Sequence, residues 1–381
     1  MIPLSVPHIA GNEWKYIKEC LDTGWVSSVG KQVDRFEIEL SRRVNCDYGV
    51  ATTNGTSALH TALLVAGVRP DDEVLVSSFT FMAAVNAIHY CGGKPVLVDA
   101  EADFWQMDPA LVVDFLHNEC EIKSGETYNR SSGRRVKAIL PVHLYGHPVD
   151  MELISECAQE FGLAVVEDAC ESLGATYKGK PVGSLGNMAC FSFNGNKIIT
   201  TGGGGMITTN NEEFAVRAKF LTNQAKDDPI EYMHNEVGYN YRMNNIEAAL
   251  GVAQLEQLDS FIHRKKEIIT NYRKALQGIK GINLFEHAEW AECTYWLANV
   301  LVDEIEFGGT ARELMSHLQN NGIQSRPLWR PIHLQAPYIS AQRLGGSVSE
   351  KLYQEGLSLP GSVGLQDSEI ISVTNAIRKF A

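Results

Sequence analysis

Between residues 49 and 209, short continuous runs of apolar and β-branched residues alternate with segments whose apolar positions recur at helical spacing. The runs fall at 73–77, 95–99, 136–142, 163–168, 188–193 and 206–209. They are apolar throughout, the pattern of strands covered on both faces. Between them, 56–66, 81–90, 109–117 and 150–161 carry helical spacing, with Asp150 placed to cap the last and Asp108-Pro109 to open the one before it. Alternation of this kind predicts the α/β class: a mostly parallel central sheet flanked by helices, with ligands at the carboxyl ends of its strands.

Residues 119–135 break the rhythm; polar and without a period, they read as an exposed excursion. From residue 245 the character changes. Segments 246–258 and 261–276 read as long helices, the second with Lys265 and Lys266 on a solvated face, 296–302 alternates like a half-buried strand, and 310–320 is amphipathic. A chain of 381 residues exceeds what one core usually sustains. The spacing therefore predicts a large domain over 1–255, including an N-terminal arm, and a smaller α+β domain over 256–381.

A net charge of −13 argues against wrapping nucleic acid or docking on anionic lipid. It leaves room for an anionic small molecule held by local arginines and helix N-termini. The eight cysteines form no CxxC pair and the histidines no metal spacing, so no metal is assigned and most thiols read as core residues. The opening seven residues are too short and proline-rich for a secretory signal, and no apolar run is long enough to span a membrane. The expected setting is the cytoplasm.

Two residues stand out against this frame. Asp168 ends the 163–168 run, where a carboxylate is costly unless paired, and Lys197 lies just beyond the 188–193 run, before the four glycines 202–205. Pyridoxal phosphate chemistry needs such a pair: an amine to condense with the aldehyde, and a carboxylate to keep the pyridine nitrogen protonated. The bland readings are a surface lysine and a helix cap. Glu171, three residues after Asp168, is placed for the cofactor's phenolic oxygen. Asn54-Gly55-Thr56-Ser57 opens a helix and reads either as a phosphate seat or as plain capping. Ser192 suits the same phosphate or a sheet edge, and Phe81 suits either stacking on the pyridine or the core. Asn244 and Asn245 are explained as caps; Tyr239, Asn240, Tyr241 and Arg242 are not. Arg326, Trp329, Arg330 and His333 crowd one proline-bounded stretch, where arginine with an aromatic suits a diphosphate and a base or sugar.

In this order, Asn54-Gly55-Thr56, Glu167-Asp168-Ala169, Ser192-Phe193, Lys197 with its Thr-Thr-Gly tail, Gly238-Tyr239-Asn240-Tyr241-Arg242 and Arg326-Pro327 resemble the DegT/DnrJ/EryC1/StrS family over residues 2–380. The resemblance implies fold type I of the pyridoxal-phosphate-dependent transferases and a sugar aminotransferase. It implies catalytic Lys197 and Asp168, and cofactor contacts from Gly55, Thr56, Ser57, Phe81, Glu171 and Ser192. Tyr239, Arg242, Arg326, Trp329 and His333 would meet the substrate. It further implies L-glutamate as donor, and a homodimer with shared active sites in which Asn240 reaches the neighbouring subunit's cofactor. Residues 2–7, 22–30 and 193–197 look most similar to the branch acting on UDP-4-keto-6-deoxy-N-acetylhexosamines, which serves bacillosamine and legionaminic acid pathways. Perosamine synthases, which use a GDP-sugar, are similar at the same positions. A sugar dehydratase of this fold would carry a histidine at the position of Lys197. A cofactor-binding regulator would not need the Lys–Asp pair, and a nicotinamide-dependent dehydrogenase would need a GxGxxG after its first strand, which is absent.

Overall fold

Each apolar run becomes a strand whose ends lie within two residues of the expected ones: Glu73–Ser77, Lys94–Val98, Arg135–Leu140, Ala164–Asp168, Met188–Ser192 and Gly205–Thr209. The computed structural model describes residues 1–228 and 230–380. The main sheet runs from Tyr48–Thr52 through Gly205–Thr209, Met188–Ser192, Ala164–Asp168, Arg135–Leu140, Glu73–Ser77 and Lys94–Val98 to Gln342–Leu344. Pairing is parallel from Met188–Ser192 to the far edge and antiparallel for the two strands before it.

Both faces are covered, which is why the runs lack polar alternation. Val74 and Val76 join the cluster that includes the helices Gly55–Val65 and Met82–Tyr90. Leu75, between them, faces the opposite cluster with Val112 and Ile154 of the helices Pro109–Asp114 and Met151–Glu160. Asp108 and Asp150 cap their helices as expected, each side chain accepting a backbone N–H. A second, antiparallel sheet orders Ile282–Leu284, Ala298–Val302, Gly356–Leu359 and Arg326–Pro327. Its helical partners include Leu258–Leu276 and Ala311–Asn320.

Three expectations change. The 119–135 stretch is not an excursion: Cys120–Lys123 and Glu126–Asn129 form a hairpin, and Thr127 and Tyr128 pair with Val136 and Arg135. Of its three buried residues, Cys120, Thr127 and Asn129, the last two are polar, so no apolar period marks it; Asn129 Nδ2 donates to Glu73 Oε2 at 2.8 Å and Gln342 Oε1 at 2.7 Å. Lys265 is buried rather than solvated, while Lys266 stays exposed against Glu292. The third concerns the division at residue 255, across which the chain returns. Gln342–Leu344 pairs in parallel with Lys94–Val98, and Asp99 at that strand's end caps the helix Ser347–Glu355. Its carboxylate accepts N–H bonds from Gly346 (2.6 Å), Val348 (3.1 Å) and Ser349 (3.0 Å). Asp99→Ala would orphan these donors, so urea denaturation should show a loss of roughly 2–4 kcal/mol. A variant within 0.5 kcal/mol of wild type, about the scatter of neutral surface substitutions, would show that the cap does not tie the segment to the sheet.

Candidate active site

The strands Ala164–Asp168 and Met188–Ser192 run side by side in parallel, Asp168 opposite Cys190 with Ser192 two residues further on, and the helix Gly55–Val65 begins beside Ser192. At this rim lies a cleft of about 260 Å³, whose wall includes Gly55, Thr56, Phe81, Asp168, Glu171, Ser192, Lys197 and Trp329. Of the other sequence candidates, Ser57 is buried in the helix, its N–H bonded to Asn54 Oδ1 at 2.8 Å. Tyr239 stacks on Tyr241 (centroids 5.0 Å apart), Asn240 is exposed, and Arg242 bridges to Thr52; none of these three lines the cleft of this chain. Arg326 lines an adjoining cleft of about 500 Å³ that shares Asn196, Trp296 and Trp329 with the first and also holds Arg330. His333 lies outside both clefts, buried between Ser78 Oγ (2.7 Å) and Glu350 Oε1 (3.0 Å). Its ring has both nitrogens occupied by protein, so the crowding of polar residues after Ser325 overstated the substrate-facing set.

Successive strand residues face opposite ways, and two neighbouring carboxylates show the consequence. Glu167 turns to a place where the N–H groups of Gly183, Leu185 and Gly186 and the ring of His143 bond it at 2.7–3.0 Å. Asp168 turns to the cleft, where Oδ1 accepts one N–H bond, from Cys170 at 3.1 Å. Burial pushes its carboxyl up, opposed by Cys170 and by the charge of Lys197. Lys197 Nζ lies 3.8 Å from Glu171 Oε1 and 4.1 Å from the ring centroid of Trp296. Burial raises Glu171 to about 7, against the pull of Lys197 and the N–H of Tyr145, which donates to Oε2 at 2.8 Å.

Tyr145 and Trp296 were not foreseen. Tyr145 holds a left-handed backbone, φ 55°, inside the protein. Its carbonyl accepts the Trp296 N–H at 3.1 Å, and its hydroxyl accepts the Trp329 N–H at 3.0 Å. The two indoles and the phenol ring stack with centroids 6.2–6.3 Å apart. The available signal was Tyr145-Gly146 after a strand: at Gly146, φ 92°, a Cβ would strike Thr294 Oγ1 at 2.6 Å and the Tyr295 nitrogen at 2.7 Å.

The cleft fits pyridoxal phosphate. A Cβ on Gly55 would meet the Ser192 Cβ at 2.7 Å and Cys170 Sγ at 2.9 Å, so only glycine lets that helix start approach the strand end. Trp329 Nε1 is buried on the wall without a well-formed hydrogen bond among the described residues, close enough to Glu171 to favour its charged form, and is open to a better acceptor on a guest. Amine, carboxylates, hydroxyls and helix N-terminus match the aldehyde, ring nitrogen and phosphate in kind.

The DegT/DnrJ/EryC1/StrS aminotransferase family matches residues 7–378. The chain belongs to this family. It is 38% identical over 379 residues to the GDP-perosamine synthase of Escherichia coli O157:H7, covering 100% of this chain and 98% of that protein. It is 32% identical over 369 residues to the dTDP-3-amino-3,4,6-trideoxy-alpha-D-glucose transaminase of Streptomyces venezuelae (96% and 91%). Spr1654 of Streptococcus pneumoniae, solved in a PLP form, superposes with a TM-score of 0.86 at 26% identity, over 100% of this chain and 99% of that one. The protein is thus a pyridoxal-phosphate-dependent sugar aminotransferase with the fold of that class. No helix among the described residues is long and apolar enough to cross a membrane.

The raised Glu171 has a thermodynamic consequence. Its folded carboxyl titrates above its ordinary 4.5, so the folded state holds the extra proton between about pH 4.5 and 7. That stabilisation is complete below 4.5 and is lost as the pH rises through 7. The cofactor-free protein should therefore lose roughly 2–3 kcal/mol over this window relative to Glu171→Gln, as measured by urea unfolding at several pH values. Parallel pH profiles for the two proteins would contradict the assignment.

Proposed function

We propose that this enzyme transfers the amino group of L-glutamate to the 4-keto carbon of a GDP-linked 4-keto-6-deoxy sugar, as a perosamine-synthase-type aminotransferase. The observation that carries this reading is the end-to-end 38% identity to a GDP-perosamine synthase. It favours the GDP-sugar over the UDP-4-keto-6-deoxy-N-acetylhexosamine that the motifs at 2–7, 22–30 and 193–197 placed first. The UDP-sugar remains the second reading on those motifs alone.

In this proposal Lys197 takes the cofactor's aldehyde carbon, Asp168 the ring nitrogen, Glu171 the phenolic oxygen, and the helix start at Gly55–Thr56 with Ser192 the phosphate. Bound pyridoxal phosphate supplies a carbonyl that carries the amino group and a ring that takes up electrons. Lys197 Nζ removes the proton from the donor's α-carbon and later delivers one to C4 of the sugar, which sets the configuration there. Asp168 keeps the ring nitrogen protonated, and the cationic nitrogen in turn stabilises its buried carboxylate. Phe81, 5.1 Å from Trp329 between ring centroids, closes the cleft from the side. Arg326 and Trp329 line the route for the nucleotide diphosphate.

Asn240, Tyr239 and Arg242 serve a second subunit in this reading. They lie on a segment that exposes Tyr232, Met233 and Val237, and a homodimer sharing its sites would cover those side chains.

Lys197→Ala and Lys197→Arg should fold normally, lose the visible band of lysine-bound cofactor and lose transamination. Wild-type turnover in either variant would remove Lys197 from the mechanism. Purified enzyme supplied with glutamate should aminate a GDP-4-keto-6-deoxy sugar in preference to UDP- and dTDP-linked ones. Activity confined to the UDP-N-acetyl sugar would restore the other branch.

A further inference from the structure

Trp296 faces the Lys197 amine, and the reaction as proposed gives it no task. Lys197 Nζ lies 4.1 Å from its ring centroid, with Glu171 Oε1 3.8 Å from the same nitrogen. The ring is fixed from three directions. The Trp296 N–H donates to the Tyr145 carbonyl, and Nε1 donates to the carbonyl of Asn196, the residue before Lys197, at 2.7 Å. From behind, buried Lys265 Nζ donates to the Trp296 carbonyl at 2.9 Å and to that of Gly361. Asn196 is itself steadied by the Ser5 hydroxyl, which donates to the same carbonyl at 3.1 Å. The indole is thereby tied to the peptide group that leads into the lysine it faces.

We infer that Trp296 is a positioning residue that holds the Lys197 amine over its ring face once that amine has left the cofactor, most firmly as the ammonium it becomes on taking up a proton. The inference rests on the aminotransferase reading. In the donor half-reaction, glutamate's amino group passes to the cofactor, water supplies the carbonyl oxygen of the departing 2-oxoglutarate, and Lys197 leaves as a free amine. A freed ammonium on a side chain only 14% exposed has lost most of its hydration, and an indole face with a nearby carboxylate replaces part of it. Holding the free form more firmly shifts the half-reaction towards the aminated cofactor. It also keeps Nζ within reach of the carbon whose proton it moves.

The test uses holoenzyme of the wild type, Trp296→Phe and Trp296→Leu, each titrated with mixtures of glutamate and 2-oxoglutarate. The absorbance bands of lysine-bound and aminated cofactor report the equilibrium constant. Trp296→Leu should shift it about three- to thirty-fold towards the lysine-bound form, the range spanned by exposed and desolvated cation–indole contacts. Trp296→Phe, which keeps an aromatic face and loses the bond to Asn196, should shift it less, and this variant alone decides the matter if the leucine variant does not fold. A merely structural role would lower the melting temperature and leave the constant unchanged; that result overturns the inference. Equal shifts in both variants would also overturn it, by assigning the effect to the indole N–H. If glutamate fails to convert wild-type holoenzyme, the donor reading falls and this inference with it. Conversion of the wild type with unchanged constants in the variants sinks this inference alone.

Discussion

A carboxylate held out of water with a single hydrogen bond is an unfinished interaction, and the site is organised around it. Asp168 is 5% exposed and accepts one backbone N–H. Glu167, one residue earlier and fully buried, has three backbone donors and an imidazole. The two side chains differ only in which face of the strand they leave by, yet one is satisfied by protein and the other is left for a ligand. Burying an under-satisfied acid raises the cost of its charge, and a cationic ring nitrogen arriving at the strand end removes that cost. The family to which the chain belongs uses a cofactor that brings such a nitrogen, so the under-satisfied acid becomes a binding determinant.

Holding that acid in place requires rigid surroundings, and Tyr145 supplies much of the rigidity. Its amide, carbonyl and hydroxyl engage Glu171, Trp296 and Trp329, which come from three distant parts of the chain. A left-handed tyrosine is an unfavourable backbone state, and three hydrogen bonds with two stacked indoles offset it. Behind Trp296, Lys265 repeats the logic with opposite sign. Burial lowers its amine to about 7, and a neutral amine has two N–H donors for the two carbonyls it meets. Neither residue touches the proposed reacting atoms, but each fixes a group that lies within 4.1 Å of the lysine.

How much of this was legible depends on where each residue takes its meaning. Lys197 and Asp168 could be read because a strand's end is visible in sequence and a charged residue there is conspicuous. The sheet could be read because strands covered on both faces show as unbroken apolar runs. The hairpin at 120–129 escaped because two of its three buried residues, Thr127 and Asn129, are polar, although Ser124-Gly125, both at positive φ, marked a tight turn. The return of Gln342–Leu344 to the main sheet escaped because three residues carry no period, and its anchor, Asp99, lies in another segment altogether. Trp296 and Tyr145 take their roles from tertiary neighbours alone. His333 is the reverse case: conspicuous among arginines and tryptophan, it closes a buried link from Ser78 to Glu350.

The charge distribution adds an argument about what enters. The chain carries 46 acidic against 33 basic residues, and most exposed arginines with carboxylate neighbours are paired with them. Arg326 and Arg330 are among the arginines without such a pair. Both line the cleft that adjoins the lysine's, and neither has a carboxylate within 4.0 Å among the described residues. On an acidic surface, two cations without carboxylate partners beside an aromatic wall make a local positive field, and such a field favours an anion over a neutral sugar. A sugar alone gives guanidinium groups nothing to pair with; a diphosphate gives both of them acceptors. The arginines thus argue for a nucleotide-linked substrate independently of sequence similarity.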